Sequence, residues 1–305
     1  MWYNLPYNHN FKEKKVDRKN ENKYIGIQLL GIAFLASAGI WVKLSSVGPI
    51  SQGFYRMLLT LLMMIPFTYK SLKGLTRRQF LLAFAGGLCL GGDVLFWNLA
   101  LMKTSVADCS LMVNLTVFIV SPISYFLFKE KIKKEFLIGA IIAFIGVVMV
   151  IFSAATGYNG ESSVYGNIIA MLASVAYSGY VLFIYKVRDS LNNTAVILIS
   201  TFGAMVFLFA GMVPFEGVAL PPNAKEWMII ILYAVCTQIL GQGLVSMCLG
   251  KLNATLVTVI SLTGIGISAI YAYIIFGESL LPIELMGMII TIVGVFMAKK
   301  SSQES

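Results

Sequence analysis

Residues 125–150 read YFLFKEKIKKEFLIGAIIAFIGVVMV, and residues 273–298 read YIIFGESLLPIELMGMIITIVGVFMA. Both stretches begin with Tyr-x-x-Phe-x-Glu, and both then carry two glycines seven residues apart. They belong to a longer match, because residues 101–150 fall on residues 249–298 without a gap at an offset of 148. In that match 13 of the 50 positions are identical, and the identities fall at equivalent places rather than at random. The chain therefore contains an internal repeat.

The composition predicts a membrane protein. Of the 305 residues, 58% are hydrophobic and only 12% are charged, whereas a soluble domain has about 25% charged residues. A helix that crosses the bilayer needs about 20 mainly apolar residues, and such segments run almost end to end here. The apolar runs are continuous and do not alternate in twos, which excludes a transmembrane barrel. The fold class is thus an all-α integral membrane protein.

Ten transmembrane helices, arranged as two inverted five-helix repeats, are the predicted architecture. A second match, at an offset of 140, aligns the first helices of the two halves. Because five is odd, the second half must enter the membrane from the opposite face. The predicted domains are a basic cytoplasmic tail (1–23), a first repeat (24–153), a second repeat (164–298) and a cytoplasmic C-terminal tail (299–305). The predicted spans are 25–44, 49–69, 79–102, 105–128, 136–153, 164–186, 194–213, 226–249, 253–276 and 282–298.

The net charge of +9 is explained by topology rather than by nucleic-acid binding. If the N-terminus lies inside, 19 of the 23 Lys and Arg residues fall on the cytoplasmic side. This positive-inside bias predicts a multi-pass protein of the cell (inner) membrane with both termini in the cytoplasm. The expected partners are the lipid bilayer and a small-molecule substrate, with the chain a monomer or a homodimer.

Four stretches resemble the EamA family of the drug/metabolite transporter superfamily. They are PISQGFYRMLLTLLMMIPF (49–67), GDVLFWNLALMKTSVADCSLMVNL (92–115), QILGQGLVSMCLGKLNATLVTVISL (238–262) and FGESLLPIELMGMIITIVGVFMA (276–298). The resemblance covers nearly all of residues 24–298. It implies ten helices around a central cavity and secondary transport of small organic metabolites, amino acids or drugs, often as export. One departure concerns a proline that the family commonly carries in the fourth and ninth helices, where this chain has Val117 and Ile265. The bending points of these two helices are therefore an open question.

Two charged residues, Arg56 and Asp93, lie deep within the predicted spans. At a rise of about 1.5 Å per residue, Arg56 lies roughly 10 Å and Asp93 roughly 13 Å from the same membrane face. A charge in the hydrocarbon region needs a partner or water, so the two side chains are predicted to form an ion pair or to share a water. Three interpretations stay open: a static bridge, a proton- or substrate-coupled switch, or an Asp93 that attracts a cationic substrate by itself.

Polar and aromatic side chains on five helices fall at similar depth. Amides and hydroxyls in lipid seek partners, so each of them could serve helix packing alone, but together they predict a cavity that binds substrate. Stacking and cation–π contacts suit an amphipathic organic solute, such as an amino acid or an amine. The predicted substrate-binding residues are Ser37, Trp41, Asp93, Trp97, Asn98, Asn114, Tyr177, Tyr180, Gln238 and Gln242, with Arg56 and Asp93 as the coupling or ion pair.

The predicted function is secondary transport, with the solute exported by alternating access around a midplane cavity. No P-loop, HExxH or GxSxG motif is present, so we expect no cofactor, no metal and no catalytic residue. A passive channel or a non-transporting scaffold is the alternative. A membrane-embedded enzyme acting on a lipid-linked substrate is the least favoured, because it would need paired carboxylates or a histidine cluster.

Overall fold

The computed structural model describes residues 18–128, 134–155, 163–188, 190–277 and 281–303, and every regular element in these ranges is helical. The predicted all-α fold class is confirmed. A 3-10 turn, Tyr69–Leu72, follows α3, and a π-helix, Ala234–Gln242, joins α10 to α11. The α-helices of these ranges are α1 (Arg18–Ala36), α2 (Ala38–Leu44), α3 (Pro49–Thr68), α4 (Arg77–Leu101), α5 (Val106–Val113), α6 (Thr116–Phe128), α7 (Lys134–Ala155), α8 (Val164–Val187), α9 (Asn193–Phe215), α10 (Ala224–Tyr233), α11 (Gly243–Leu249), α12 (Ala254–Ser261), α13 (Thr263–Phe276) and α14 (Pro282–Gln303).

Eight helical stretches in the described ranges are long and apolar enough to cross a membrane. Some of them combine two elements, as in Glu21–Leu44, which joins α1 to α2. The predicted fifth and tenth spans correspond to α7 and α14, which contribute the shorter apolar stretches Leu137–Gly146 and Leu285–Gly294. The chain is therefore a multi-pass membrane protein.

Polar side chains fix where several helices begin. Each cap accepts a hydrogen bond from the backbone N–H three residues further on, which satisfies a donor that the helix itself leaves free. The caps are Thr76 before α4, Ser105 before α5, Ser163 before α8, Asn192 before α9 and Asn223 before α10.

The repeated glycines bring α7 and α14 into backbone contact. A Cβ atom at Gly146 would collide with the carbonyl oxygen of Gly287, and a Cβ at Gly294 would lie 2.5 Å from the carbonyl oxygen of Gly139. The two contacts are reciprocal at the offset of 148, as a twofold relation between the two helices requires. Only glycine allows so close an approach.

Several helical stretches are interrupted within their length. Ser37 separates α1 from α2, residues 114–115 separate α5 from α6, and Leu262 separates α12 from α13. The last two interruptions are equivalent in the repeat. Directly after them, the N–H of Val117 bonds to the carbonyl of Asn114 (3.3 Å), and that of Ile265 to the carbonyl of Leu262 (3.1 Å). Both helices are thus interrupted just before the positions where the family commonly has proline.

Candidate functional site

The interrupted helices surround a cavity of about 110 Å³. Ala36 and Ala38 flank the break at Ser37, and Asn114 and Gly264 lie at the breaks in the fourth and ninth predicted spans. Gln242, the last residue of the π-helix, also lines the cavity. Non-helical backbone at membrane depth is tolerated where it is buried in protein or lines a cavity. The breaks therefore lie where such backbone is expected, at the wall of the cavity.

Half of the predicted substrate-binding residues line this cavity. They come from both halves of the chain and from three different helices and one break. They are Asp93 and Trp97 on α4, Asn114 after α5, Tyr177 on α8 and Gln242 in the π-helix, and Arg56 of the predicted pair lines it as well.

Ser37 and Trp41 are not among the lining residues. The Ser37 hydroxyl donates to the carbonyl of Phe34 (2.7 Å) and accepts from the Trp41 indole N–H (3.1 Å). The two side chains thus bond to each other and stabilise the break between α1 and α2. In this structure they support the cavity wall rather than face the hollow.

Tyr180 is also behind the wall. It is fully buried, and its ring stacks on the ring of Tyr177 with 5.7 Å between the centroids. Its hydroxyl has no hydrogen-bond partner in the described part of the chain. Tyr180 therefore backs the cavity-lining Tyr177.

Gln238 contacts Arg56 instead of the cavity. The Arg56 guanidinium donates through Nη2 to the Gln238 side-chain oxygen (2.7 Å) and through Nη1 to the Tyr233 hydroxyl (2.9 Å). It also lies over the Tyr233 ring, 4.6 Å from the centroid. The Gln238 amide donates in turn to the Thr201 hydroxyl (3.0 Å). Two helices of the second half thus hold a cation of the first half.

Asn98 continues the same chain of hydrogen bonds. It accepts from the Tyr233 hydroxyl (3.2 Å), and its amide donates to the carbonyl of Pro49 (2.7 Å) at the start of α3. Asn98 is fully buried and does not line the cavity. The network therefore extends from the cavity to the turn at residues 45–49.

Arg56 and Asp93 line the same cavity but do not bond to each other. The guanidinium bonds to the neutral oxygens of Tyr233 and Gln238, and Asp93 Oδ1 has no hydrogen-bond partner among the described residues. The direct ion pair is thus not formed in this structure. The water-shared form stays a prediction.

Four covered polar atoms at the cavity have no hydrogen-bond partner in the described ranges. They are Arg56 Nε, Asp93 Oδ1, Trp97 Nε1 and Gln242 Nε2. All four atoms belong to residues that line the cavity.

Tyr233 and Thr201 were missed by reasoning from sequence. Tyr233 and Gln238 are five residues apart, a spacing that points to different sides of an α-helix. The π-helix that follows Tyr233 has i→i+5 hydrogen bonds, so both side chains reach Arg56. A further carboxylate, Asp108, is buried near the start of α5 and was also missed, because it lies close to a predicted span end.

In the part of the chain that the structure describes, no group of three or more His, Cys, Asp or Glu side chains comes together. The four cysteines, Cys89, Cys109, Cys236 and Cys248, are free thiols.

Curated relatives of this chain are named as uncharacterized transporters. The chain is similar to an uncharacterized transporter of Helicobacter pylori (strain J99), with 28% identity over 227 residues, 71% of this chain and 74% of that protein. An uncharacterized transporter of Clostridium kluyveri is 21% identical over 73% of each chain. The uncharacterized transporter YetK of Bacillus subtilis is 24% identical, but the match spans only 42% of its length.

A solved crystal structure has the same fold. Its TM-score is 0.72 at 16% sequence identity, and the match covers 94% of this chain and 99% of that chain. The EamA-like transporter family model matches residues 23–152 and again residues 164–299. With both halves matched, the chain belongs to the EamA-like transporter family.

Proposed function

We propose that this protein is a secondary transporter that exports a small organic metabolite, such as an amino acid or an amine, by alternating access. The observation that carries the proposal is the cavity between the two halves, which is lined by Arg56, Asp93 and residues at the helix breaks. Family membership and the transporter-named relatives point to a transporter rather than an enzyme.

Two inverted five-helix repeats, 24–153 and 164–298, are the proposed scaffold for the motion. The reciprocal glycine contacts of α7 and α14 support a twofold relation, and so do the equivalent breaks at Asn114 and Leu262. Rocking of two such halves about a shared site exposes the site to one face and then to the other.

The proposed location is the cell (inner) membrane, with both termini in the cytoplasm. The end of the bundle with the 45–49 turn then faces outward, and the Lys- and Arg-rich loops face inward. The Arg56–Asp93 pair is proposed to act through a shared water or through the bound solute. The oligomeric state is proposed to be a monomer or a homodimer.

Flux through the purified protein in proteoliposomes tests the proposal. A carrier gives saturable uptake that accelerates when unlabelled substrate is loaded on the opposite side, because the site must reorient in each cycle. Non-saturable flux would instead identify a passive channel, and no flux of any amino acid or amine would favour a scaffold. Chemical conversion of the solute would identify an enzyme.

The matched control is Lys225→Gln, which removes an exposed cation away from the cavity. This variant should transport like the wild type. Asp93→Asn should lose most of the saturable flux at equal expression, because Asp93 lines the cavity.

A further inference from the structure

The position of the Arg56 guanidinium depends on the shape of the helix that follows α10. Its two side-chain partners, Tyr233 and Gln238, are five residues apart in the chain. In an α-helix of about 3.6 residues per turn, such residues point about 140° away from each other. Residues Ala234–Gln242 form a π-helix, whose hydrogen bonds join residues five apart, and there both side chains reach the same guanidinium. The double contact with Arg56 therefore requires the π-helix.

The bonds of Gln238 stabilise this π-helix. Its side-chain oxygen accepts from Arg56 (2.7 Å), and its amide donates to the Thr201 hydroxyl (3.0 Å). A π-helix is rare and is usually a single turn within an α-helix, often at a functional site. If each backbone N–H of the segment bonded to the carbonyl four residues back instead of five, the segment would become α-helix without losing backbone hydrogen bonds. Gln238 would then turn away from Arg56.

Asp93 is the alternative partner for the Arg56 guanidinium. The two side chains line the same cavity and attract each other electrostatically, but no hydrogen bond joins them in this structure. A guanidinium bonds more strongly to a carboxylate than to a neutral amide oxygen. Each of the two charges also needs a partner at this depth in the membrane. Gln238 and Asp93 therefore compete for Arg56.

We infer that Gln238 is a positioning residue that holds Arg56 away from Asp93 while residues 234–242 are a π-helix, and that a change of this segment to α-helix releases Arg56 to pair with Asp93. Tyr233 precedes the segment, so its ring remains beside the guanidinium in both forms. This inference rests on the proposed transport function, and it names a helix whose change of form accompanies the reorientation of the site.

The same change of form alters the wall of the cavity. Gln242, the last residue of the π-helix, lines the cavity. Leu35 on α1 lines it as well and lies directly against the π-helix, since a Cβ atom at Gly241 would be 2.9 Å from the Leu35 side chain. When the backbone bonds shift by one residue, the helix after the segment turns relative to α10. The cavity wall therefore moves when Arg56 changes its partner.

A double-mutant cycle on the purified full-length protein tests the competition for Arg56. Thermal unfolding would compare the wild type with Gln238→Met, Asp93→Asn and the double variant. In the wild type Gln238 bonds to Arg56, so Asp93→Asn removes no bond of the guanidinium. In the Gln238→Met background Arg56 relies on Asp93, so Asp93→Asn should lower the apparent melting temperature by at least about 3 °C more than in the wild type.

The matched control is Gln28→Met, the same substitution at another buried glutamine. The Gln28 amide donates to the carbonyl of Val257 on α12 and not to a charged group, so its effect should add to that of Asp93→Asn. Gln238→Asn, which shortens the side chain by one methylene, serves if Gln238→Met does not fold. Additive shifts for Gln238 and Asp93 would overturn the inference, because a purely structural glutamine does not couple to a carboxylate to which it is not bonded.

A flux measurement then separates this inference from the proposed function. Gln238→Glu gives Arg56 a carboxylate within the π-helix, so it should favour the π form and lower saturable flux of any transported amino acid or amine at least about tenfold. Flux at the wild-type rate would contradict the switch. Coupled melting shifts in a protein without flux would keep the switch and reject the transporter. Additive shifts in a protein with saturable flux would keep the transporter and reject the switch.

Discussion

Tyr233 is the residue on which the position of the Arg56 charge most depends. Its hydroxyl accepts from Arg56 and donates to Asn98, and its ring lies beneath the guanidinium. If this hydroxyl is removed, both of its partners lose a hydrogen bond unless a water molecule fits into the space.

We expect Tyr233→Phe to destabilise the protein by about 1–3 kcal/mol, because it leaves an Arg56 donor and the Asn98 oxygen without partners in a buried site. The apparent melting temperature in detergent should fall, and transport should fall with it. Tyr273→Phe is the control, since Tyr273 is 64% exposed on the outside of α13. Equal melting temperatures for the two variants would show that the Tyr233 hydroxyl contributes nothing to stability.

For single residues, the sequence predicts how deep a side chain lies in the membrane better than it predicts which side chains it contacts. The rise per residue places Arg56 and Asp93 at similar depth, and both do line the cavity. The partners of Arg56 lie 177 and 182 residues away in the chain, and a single sequence carries no signal that relates such distant positions. Of the five predicted binding residues that do not line the cavity, Asn98 and Gln238 are bonded to neighbouring helices instead.

For the helices, the positions of the breaks shape the site more than the positions of the helix ends do. Predicted span ends agree with α3, α4 and α8 to within a few residues, because apolar length and capping residues determine them. Periodicity assumes an unbroken α-helix, so it could not predict the π-helix at Ala234–Gln242. That segment alters which side chains share a face, and it brings Tyr233, which was not predicted, to Arg56.

Two glycines give predictions of opposite sign, one at the contact of α7 with α14 and one on α13. Gly294→Ala should destabilise the protein, because the new methyl group would meet the backbone of Gly139 and Ala143. Gly266→Ala, on α13, should be neutral or stabilising by up to about 1 kcal/mol, since its methyl group would meet only the Ile292 side chain at 3.9 Å and alanine favours helix. Thermal unfolding of the two variants beside the wild type measures both effects. A Gly294→Ala protein as stable as Gly266→Ala would contradict the close packing of α7 on α14.

At the scale of the whole molecule, two carboxylates of the second half hold a turn of the first half. Glu216, after α9, accepts hydrogen bonds from the backbone N–H groups of Ile50 (2.9 Å) and Ser51 (2.8 Å) at the start of α3. Its position there also suits the positive end of the helix dipole. Glu226, on α10, accepts from the hydroxyls of Ser45 (2.6 Å) and Ser46 (2.8 Å).

These contacts join the two family-matched halves at one end of the bundle, and the sequence did not indicate them. Charge-assisted hydrogen bonds are about twice as strong as neutral ones. The bonds of Glu216 and Glu226 therefore attach the turn firmly to the second half. If the halves rock against each other, this end can open only when these bonds break. The carboxylates should therefore favour the conformation in which the 45–49 turn is closed on the second half.

The double variant Glu216→Gln/Glu226→Gln should open this end more often, because glutamine keeps the shape of the side chain and removes its charge. A cysteine introduced at Val47, a half-buried position in the turn, should then react faster with a membrane-impermeant maleimide on intact cells. Lys225→Gln is the matched control, since it changes a charge beside Glu226 but not a partner of the turn, and it should leave the rate unchanged. The same protein without the cysteine at position 47 corrects for the native thiols. Equal maleimide rates in the double variant and the parent would mean that the two carboxylates only stabilise the turn, and that the opening of this end is controlled by other contacts between the halves.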